Sequence, residues 1–122
     1  MPLMRFISPK DPRWLSTLKA VEDELVVDAL VYRYSLGPGD AFKDRQEGTF
    51  SLCSFWYVEC LSRSEQIDKA LFNLEKILSY ANHLGLYSEE LSFQGNHLGN
   101  FPQALSHLSL ISCAYDLNRR MQ

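Results

Sequence analysis

FSLCSFWYVECL, residues 50–61, decides the fold class of this 122-residue sequence. Its polar residues are Ser51, Ser54 and Glu59, so an α-helix formed here would be apolar around nearly its whole circumference. A helix of that kind is buried on most of its sides. The stretch therefore predicts a buried helix that other elements must cover.

Two one-sided helices are predicted around this stretch. Asp11-Pro12 is a helix-start signal, and the helix that follows it is expected to extend to about Val31. Ser64 is expected to cap a third helix. The apolar side of that helix is formed by residues at helical spacing: Ile67, Ala70, Leu71, Leu74, Ile77, Leu78 and Ala81.

A last helix is predicted with Asn100 as its cap and Pro102 in its first turn. The residues expected to face the core from it are Leu105, Leu108, Ile111 and Leu117. Two long polar connections, residues 35–48 and 86–100, separate these helices, and loops of that length are often functional. The alternation of a nearly all-apolar helix with one-sided helices predicts an all-α fold of about four helices. Part of a two-layer helical toroid and a plain four-helix bundle both fit it.

Composition predicts one globular domain, residues 1–122, because 46% hydrophobic residues are enough to build a core. The net charge of −3 arises from 15 acidic and 12 basic residues scattered along the chain, so nucleic acid is not an expected partner. No stretch is apolar for long enough to span a membrane, and residues 1–10 lack the pattern of a signal peptide. We therefore expect a cytoplasmic protein that does not bind a membrane.

The cysteines and histidines give no pattern of a metal or redox site. Cys53 and Cys60 lie seven residues apart in one helix, too far along its axis to form a disulfide, and with Cys113 they are interpreted as buried reduced thiols. No two histidines have the spacing of zinc ligands, and His107 is interpreted as a hydrogen-bonded core residue. No phosphate-binding loop or dinucleotide fingerprint occurs, so neither a metal nor a cofactor is expected.

Ordered blocks of residues carry a resemblance to a known family. They are DPR at residues 11–13 with Thr17, VYRY at 31–34, EGTFSLCSFW at 47–56, LYSEE at 86–90 and LGNFPQALSH at 98–107. Together they resemble glycoside hydrolase family 15, which contains the glucoamylases, the glucodextranases and some microbial trehalases. The resemblance covers almost the whole chain.

The resemblance implies an (α/α)6 barrel that hydrolyses an α-linked glucoside or oligosaccharide with inversion, using two carboxylates. Glu89, in the segment Ser88-Glu89-Glu90, is similar in position to the family's general base. Inverting pairs stand about 6.5–9.5 Å apart, which leaves room for a water molecule. The family's general acid lies in an earlier segment, which nothing in this chain resembles. We therefore expect the C-terminal part of a barrel, with a base but no acid and with little activity alone.

Five further residues are candidate substrate contacts. Arg33 resembles the family's arginine that hydrogen-bonds the terminal sugar, and Tyr34 beside it offers a stacking ring, although a surface ion pair is an equal alternative for Arg33. Glu90 either orients its neighbour, contacts sugar or is solvated. Glu47 is either a pocket acid or an acid that favours a helix start. Trp56 is a candidate stacking platform, although aromatic residues in such a helix are more often core.

The alternative function is a non-catalytic interaction module, because the regulatory subunits of phosphorylase kinase resemble the same barrel without obvious hydrolysis. Part of a barrel also leaves the apolar flanks of the helix at residues 50–61 uncovered, and exposed apolar patches drive association. We therefore expect a homo-oligomer that associates through exposed apolar helix faces.

Overall fold

The computed structural model of the protein describes residues 1–34 and 47–122. Four α-helices within these ranges confirm the all-α prediction, and residues 35–46 of the predicted connection at 35–48 lie outside the described residues. The helices are α1 (Pro12–Leu25), α2 (Ser51–Arg63), α3 (Ile67–Leu78) and α4 (Ala104–Met121), preceded by a 3-10 helix at Pro2–Met4. The strands are β1 (Val26–Val27), β2 (Leu30–Val31), β3 (Thr49–Phe50), β4 (Glu90–Leu91) and β5 (His97–Leu98).

Helix α2 is the centre of the core, as the stretch at residues 50–61 predicts. Its side chains Phe55, Val58 and Leu61 are fully buried, and α2 packs against both α3 and α4. Trp56 is the exception on this helix, with 42% of its surface exposed. The apolar flanks of α2 are therefore mostly covered within this chain, contrary to the expectation that they would be left uncovered.

Helices α2 and α4 run parallel. At their N-terminal ends, the Ser51 N–H donates to the carbonyl of Glu89 at 3.0 Å, and the Ser106 hydroxyl donates to the carbonyl of Ser88 at 2.9 Å. At the opposite ends, the Ser62 hydroxyl donates to Asp116 at 2.8 Å. The N-termini of both helices therefore lie against the same short segment, Ser88-Glu89.

The first helix is shorter than predicted. It begins at Pro12, with the Asp11 carboxylate accepting from the Arg13 N–H at 2.9 Å as expected, but it ends at Leu25 rather than Val31. Residues 26–31 form a hairpin in which β1 pairs with β2. Its two turn residues have positive φ, which matches the right-handed twist of short hairpins, and valine on both strands favours strand over helix.

The connection at residues 86–100 contains strands where only a loop was predicted. Strands β3, β4 and β5 form an antiparallel sheet in that order, with Thr49 opposite Leu91 and Leu91 opposite His97. The sheet lies at the N-terminal ends of α2 and α4, since β3 leads directly into α2. It fixes the position of the segment that carries the candidate base.

Two of the predicted caps are wrong. The single hydrogen of the Ser64 hydroxyl is shared between the carbonyls of Cys60 and Pro9, which lie 2.8 and 3.0 Å from Oγ. Ser64 therefore serves the end of α2 and the N-terminal segment instead of α3. Helix α4 begins at Ala104, beyond Asn100 and Pro102, and neither residue lies in it. The side chain of Asn100 binds a different group, described below.

The predicted core face of α4 is also wrong. Leu105, Leu108 and Ile111 are 55, 62 and 64% exposed, whereas Leu117 alone of the predicted set is buried. The side that faces α2 consists instead mainly of small and polar residues: Ser106, Ser109, Cys113 and Asp116. We call the exposed row formed by Leu105, Leu108, Ile111 and Tyr115 the α4 stripe.

A buried carboxylate explains why α4 turns a polar side to α2. Asp116, only 4% exposed, accepts hydrogen bonds from the Ser62 hydroxyl and from Arg120 Nε, both at 2.8 Å. Burial acts to raise the pKa of the Asp116 carboxyl, but the bonds from Arg120 and Ser62 and the charge of Arg63 together bring that pKa below its ordinary value. Asp116 is therefore held as a carboxylate.

A second buried carboxylate, Glu59, lies beside it. Arg63 donates to Glu59 at 2.6 and 2.9 Å, and the Ser112 hydroxyl donates to it at 2.8 Å. Arg63 Nε also lies 3.9 Å from Asp116, so one guanidinium faces both carboxylates. The α2–α4 network comprises Glu59, Ser62, Arg63, Ser112, Asp116 and Arg120.

The cysteines are free thiols, and Cys60 and Cys113 are buried as predicted, whereas Cys53 is half-buried. Burial raises the pKa of Cys60 to about 11 and that of Cys113 to about 12. None of the described helices is both long and apolar enough to cross a membrane.

Replacing Asp116 tests the α2–α4 network. We expect Asp116→Ala to lower the free energy of unfolding by about 3–5 kcal/mol, because it removes the buried carboxylate to which the half-buried Arg120 and the Ser62 hydroxyl donate. Urea unfolding followed by circular dichroism measures this loss. Asp23→Ala is the matched control: it removes the exposed ion pair with Lys19 and should leave the midpoint nearly unchanged.

The loss of unfolding free energy in Asp116→Ala should also depend on pH. Because the pKa of Asp116 is lowered in the folded state, its contribution is complete above the unfolded-state pKa and disappears as the pH falls through the folded-state pKa. The difference between wild type and Asp116→Ala should therefore narrow in acid. If Asp116→Ala and Asp23→Ala lowered the free energy of unfolding equally at neutral pH, the α2–α4 network would have no special role in stability.

Candidate functional site

The main chain of Glu89 is held from two sides. Its carbonyl accepts from the N–H of Ser51, the first residue of α2, which satisfies one of the free N–H groups of that helix. Its own N–H donates to the carbonyl of Asn100 at 2.9 Å. Glu89 therefore lies fixed between the start of α2 and the segment that leads to α4.

The side chain of Glu89 is held by the same asparagine. Its Oε2 accepts from the backbone N–H of Asn100 and from Asn100 Nδ2, both at 3.1 Å. Within residues 1–34 and 47–122, Oε1 makes no hydrogen bond and the carboxylate has no ion-pair partner. One oxygen is thus fixed by Asn100, and none of the described residues engages the other.

Gly99 makes this arrangement possible. Its φ is +70°, and a Cβ added to it would lie 2.9 Å from Glu89 Oε2 and 3.1 Å from Glu89 Cβ. Any other residue would therefore be strained and would also press on the Glu89 side chain. The position therefore favours glycine, although Ala29 in the hairpin shows that the chain accepts an alanine at the same φ.

The neighbouring Glu90 has a different partner. Its Oε2 accepts from the N–H of Gly48 at 2.9 Å, which ties β4 to the residues before β3. A Cβ on Gly48 would lie only 2.3 Å from the carbonyl oxygen of Leu91, so this close approach also depends on glycine. The two consecutive carboxylates therefore bind different groups, as expected where side chains alternate along an extended chain.

Arg33, Tyr34 and Glu47 form one cluster. Arg33 makes an ion pair with Glu47, and the Tyr34 hydroxyl donates to the same carboxylate, which raises the pKa of Tyr34. The Arg33 guanidinium also lies 5.8 Å from the ring centre of Tyr34 and 5.4 Å from that of Phe50. Both alternatives left open for Arg33 are compatible with this geometry, because it is paired and still 54% exposed in its side chain.

The structure brings five of the six predicted site residues into one region. The cluster of Arg33, Tyr34 and Glu47 continues through Gly48 to Glu90, and Glu90 is covalently next to Glu89. Trp56 is not joined to them by any hydrogen bond, ion pair or ring contact in the described ranges. No group of three or more possible ligand residues in the described part of the chain is arranged to hold a metal ion.

Several residues that support the site were not predicted to do so. The buried Ser88 hydroxyl donates to the Glu90 carbonyl at 2.5 Å and lies 2.8 Å from His97 Nδ1. His107 accepts from the Tyr87 N–H through Nε2 at 3.2 Å, while its Nδ1 lies 2.7 Å from the Gln103 carbonyl. The hydrogen bonding predicted for His107 is confirmed, whereas its side chain is half-buried rather than part of the core. A polar residue bonded to a distant backbone group leaves no periodic signal in a sequence.

Comparison with known proteins agrees with the resemblance seen in the sequence. The family model described as glycosyl hydrolases family 15 matches residues 1–115. A protein named trehalase from Mycobacterium tuberculosis is 44% identical over 118 residues, which are 96% of this chain and 17% of that protein. A trehalase from Thermoplasma acidophilum is 45% identical over 115 residues, 93% of this chain and 19% of that protein.

A more distant relative, trehalase 1 of Sulfolobus acidocaldarius, is 36% identical over 112 residues, 91% of this chain and 19% of that protein. The chain thus spans less than one fifth of the length of these relatives. No solved structure shows a significant match. Because the family match spans nearly the whole chain, this protein belongs to glycoside hydrolase family 15.

Proposed function

We propose that the chain supplies the general base for inverting hydrolysis of an α-glucoside, and that Glu89 is that base. The observation that carries the proposal is the half-fixed carboxylate: Asn100 holds Oε2, and Oε1 is left without a partner in the described residues. A base must be ionised and must reach a water molecule with one oxygen. Both groups that hold Oε2 are N–H donors, which bind an ionised carboxylate well.

The general acid is proposed to come from outside this chain. Inverting hydrolysis needs a second carboxyl group about 6.5–9.5 Å from the first. Of the nearby carboxylates, Glu47 is engaged by Arg33 and Tyr34, and Glu90 accepts from Gly48. The relatives contain more than four fifths of their length beyond the matched segment, which is ample room for the acid. The chain alone should then have little activity.

The proposed substrate is an α-linked glucoside or oligosaccharide, with trehalose first because the similar proteins described above are named trehalases. Arg33 and Tyr34 are the proposed sugar contacts, since both are exposed and the guanidinium has more donors than Glu47 uses. Glu47 would orient the guanidinium, and Glu90 would hold the strand. Trp56, exposed on α2, stays a proposed stacking surface.

A chimera tests the role of Glu89. This chain would replace the matching segment of the Thermoplasma acidophilum relative, to which it is 45% identical over 115 residues. We expect the chimera to release glucose from trehalose, and Glu89→Gln to lower kcat by about 10²–10⁴, the contribution of a positioned base. The assay would also include maltose and isomaltose.

Two further variants serve as controls for the same assay. Glu75→Gln changes an exposed carboxylate of α3 and should leave kcat unchanged. Glu90→Gln retains an oxygen that can accept from the Gly48 N–H, so it should lower kcat much less than Glu89→Gln does. Full activity of Glu89→Gln would refute the proposal, as would glucose release by this chain alone that survives the same change.

A cytoplasmic location is proposed as well. The chain has three free thiols, and proteins of oxidising compartments more often pair their cysteines.

The α4 stripe favours a second proposal, association of this chain with itself. Leu105, Leu108, Ile111 and Tyr115 are each more than half exposed on one side of α4. Contiguous exposed apolar residues of this kind mark interaction surfaces. The surface differs from the one expected from the sequence, because α2 is largely covered. This observation also fits the alternative of a non-catalytic interaction module.

Light scattering measures the association. We expect a mass above that of one chain, and a return to 14.1 kDa in the double variant Leu108→Glu/Ile111→Glu, because two charges in the stripe oppose its burial. Phe72→Glu/Leu84→Glu is the matched control: it adds the same charge at two exposed apolar residues outside α4 and should stay associated. A monomeric wild type at high concentration would contradict the proposal.

A further inference from the structure

We infer that Asn100 is a positioning residue, which fixes Oε2 of Glu89 so that Oε1 is directed at the water to be activated. The inference rests on the proposed function of Glu89 and adds a residue to it. It would explain why Asn100, which is exposed between β5 and α4, donates to one carboxylate through both its side-chain amide and its main-chain N–H.

Three hydrogen bonds join the same two residues. The Glu89 N–H donates to the Asn100 carbonyl at 2.9 Å, and the Asn100 N–H and Nδ2 both donate to Oε2 at 3.1 Å. Because main chain and side chain are tied to one partner, the carboxylate cannot rotate without breaking two bonds. Reaction rates depend on such fixed geometry, since a misplacement of about 1 Å can cost a factor of about 10².

The exposure of this contact favours positioning over stability. Asn100 and Gly99 are exposed, and hydrogen bonds in contact with water contribute little to the free energy of unfolding. Two carboxylates that are buried among the described residues, Glu59 and Asp116, are instead held by arginines. A contact that served only stability would be expected in such surroundings.

The contact in which Asn100 holds Glu89, called the clamp below, adds no positive charge, and this also suits a base. Within the described residues Glu89 has no cationic partner, whereas Glu47 is paired with Arg33. An adjacent cation favours the ionised form of a carboxylate and so makes it a weaker proton acceptor. Amide donors orient the group without adding that charge.

The first test uses this chain alone and needs no activity. NMR coupling constants of the Glu89 side chain should indicate a single χ1 rotamer in the wild type and averaging among rotamers in Asn100→Ala. Asn96→Ala is the matched control, because Asn96 lies in the β4–β5 turn and its side chain makes no hydrogen bond in the described ranges. A single rotamer that persists in Asn100→Ala, or averaging already in the wild type, would overturn the inference.

The second test uses the chimera that carries the full chain. We expect Asn100→Ala to lower kcat about 10- to 100-fold with KM unchanged, because the carboxylate is misplaced but no sugar contact is lost. Asn100→Asp has nearly the same shape but repels Glu89, so its kcat should be lower still. A merely structural role predicts the opposite order, with Asn100→Asp closer to wild type, and Asn96→Ala should match wild type.

The two hypotheses fail in different ways. If Glu89→Gln keeps its activity, the proposed function is wrong. If Glu89→Gln is inactive while Asn100→Ala and Asn100→Asp both keep wild-type kcat, the base is correct and the positioning role is wrong.

Gly99 offers an independent check of the same geometry. Gly99 and Gly85 have nearly the same φ, +70° and +76°, but an added Cβ meets Glu89 only at Gly99 and nothing within 4 Å at Gly85. Alanine should therefore strain the backbone equally at both positions. We expect Gly99→Ala to lower kcat of the chimera at least tenfold and Gly85→Ala to leave it unchanged. Equal kcat values in the two variants would contradict the clamp.

Discussion

The contact between α2 and α4 is the constraint on which the rest of the structure depends. Two carboxylates are buried in it, and burial of that kind is tolerated only when donors surround the charge. Asp116 reaches donors on its own helix and on α2, so the two helices can pack in one register. That register brings both helix N-termini against Ser88-Glu89, more than ten residues away along each helix. The hydrogen bonds of Asp116, at the C-terminal end of the helix pair, thus help to fix Glu89 at the N-terminal end.

Glycine is the second constraint, because the site is built by close backbone approach. Gly48 lets β3 lie against β4, and Gly99 lets the Asn100 amide reach the Glu89 carboxylate. The two contacts hold consecutive carboxylates in different ways. Glu90 accepts a hydrogen bond from the N–H of Gly48, and Glu89 accepts from the exposed Asn100. Within the described residues Glu89 Oε1 has no hydrogen-bond partner, while the backbone of Glu89 is held from both sides.

Local periodicity explains which predictions succeeded. The buried helix at residues 50–61 and the start at Asp11 were predicted correctly, because both signals lie within a few turns of one helix. Asn100 was misinterpreted as a cap because the side chain that caps a helix can equally bind a carboxylate, and its partner Glu89 is eleven residues away. The hairpin after Leu25 was missed because two-residue strands carry almost no periodic signal. The resemblance to a family supplied Glu89, which spacing alone did not distinguish from a solvated loop residue.

Helix α4 shows why an apolar stripe cannot be assigned to a core from sequence alone. Leu105, Leu108 and Ile111 do recur at helical spacing, yet they face outward, whereas serines and Asp116 face α2. Apolar surface gains from burial whatever covers it, whereas a buried carboxylate requires specific donors, so the carboxylate determines which side of α4 faces α2. The apolar side of α4 is then left exposed. The relatives cited above are about five to six times as long as this chain, so the proposed partner of the α4 stripe is either a second copy of this chain or further chain of that kind.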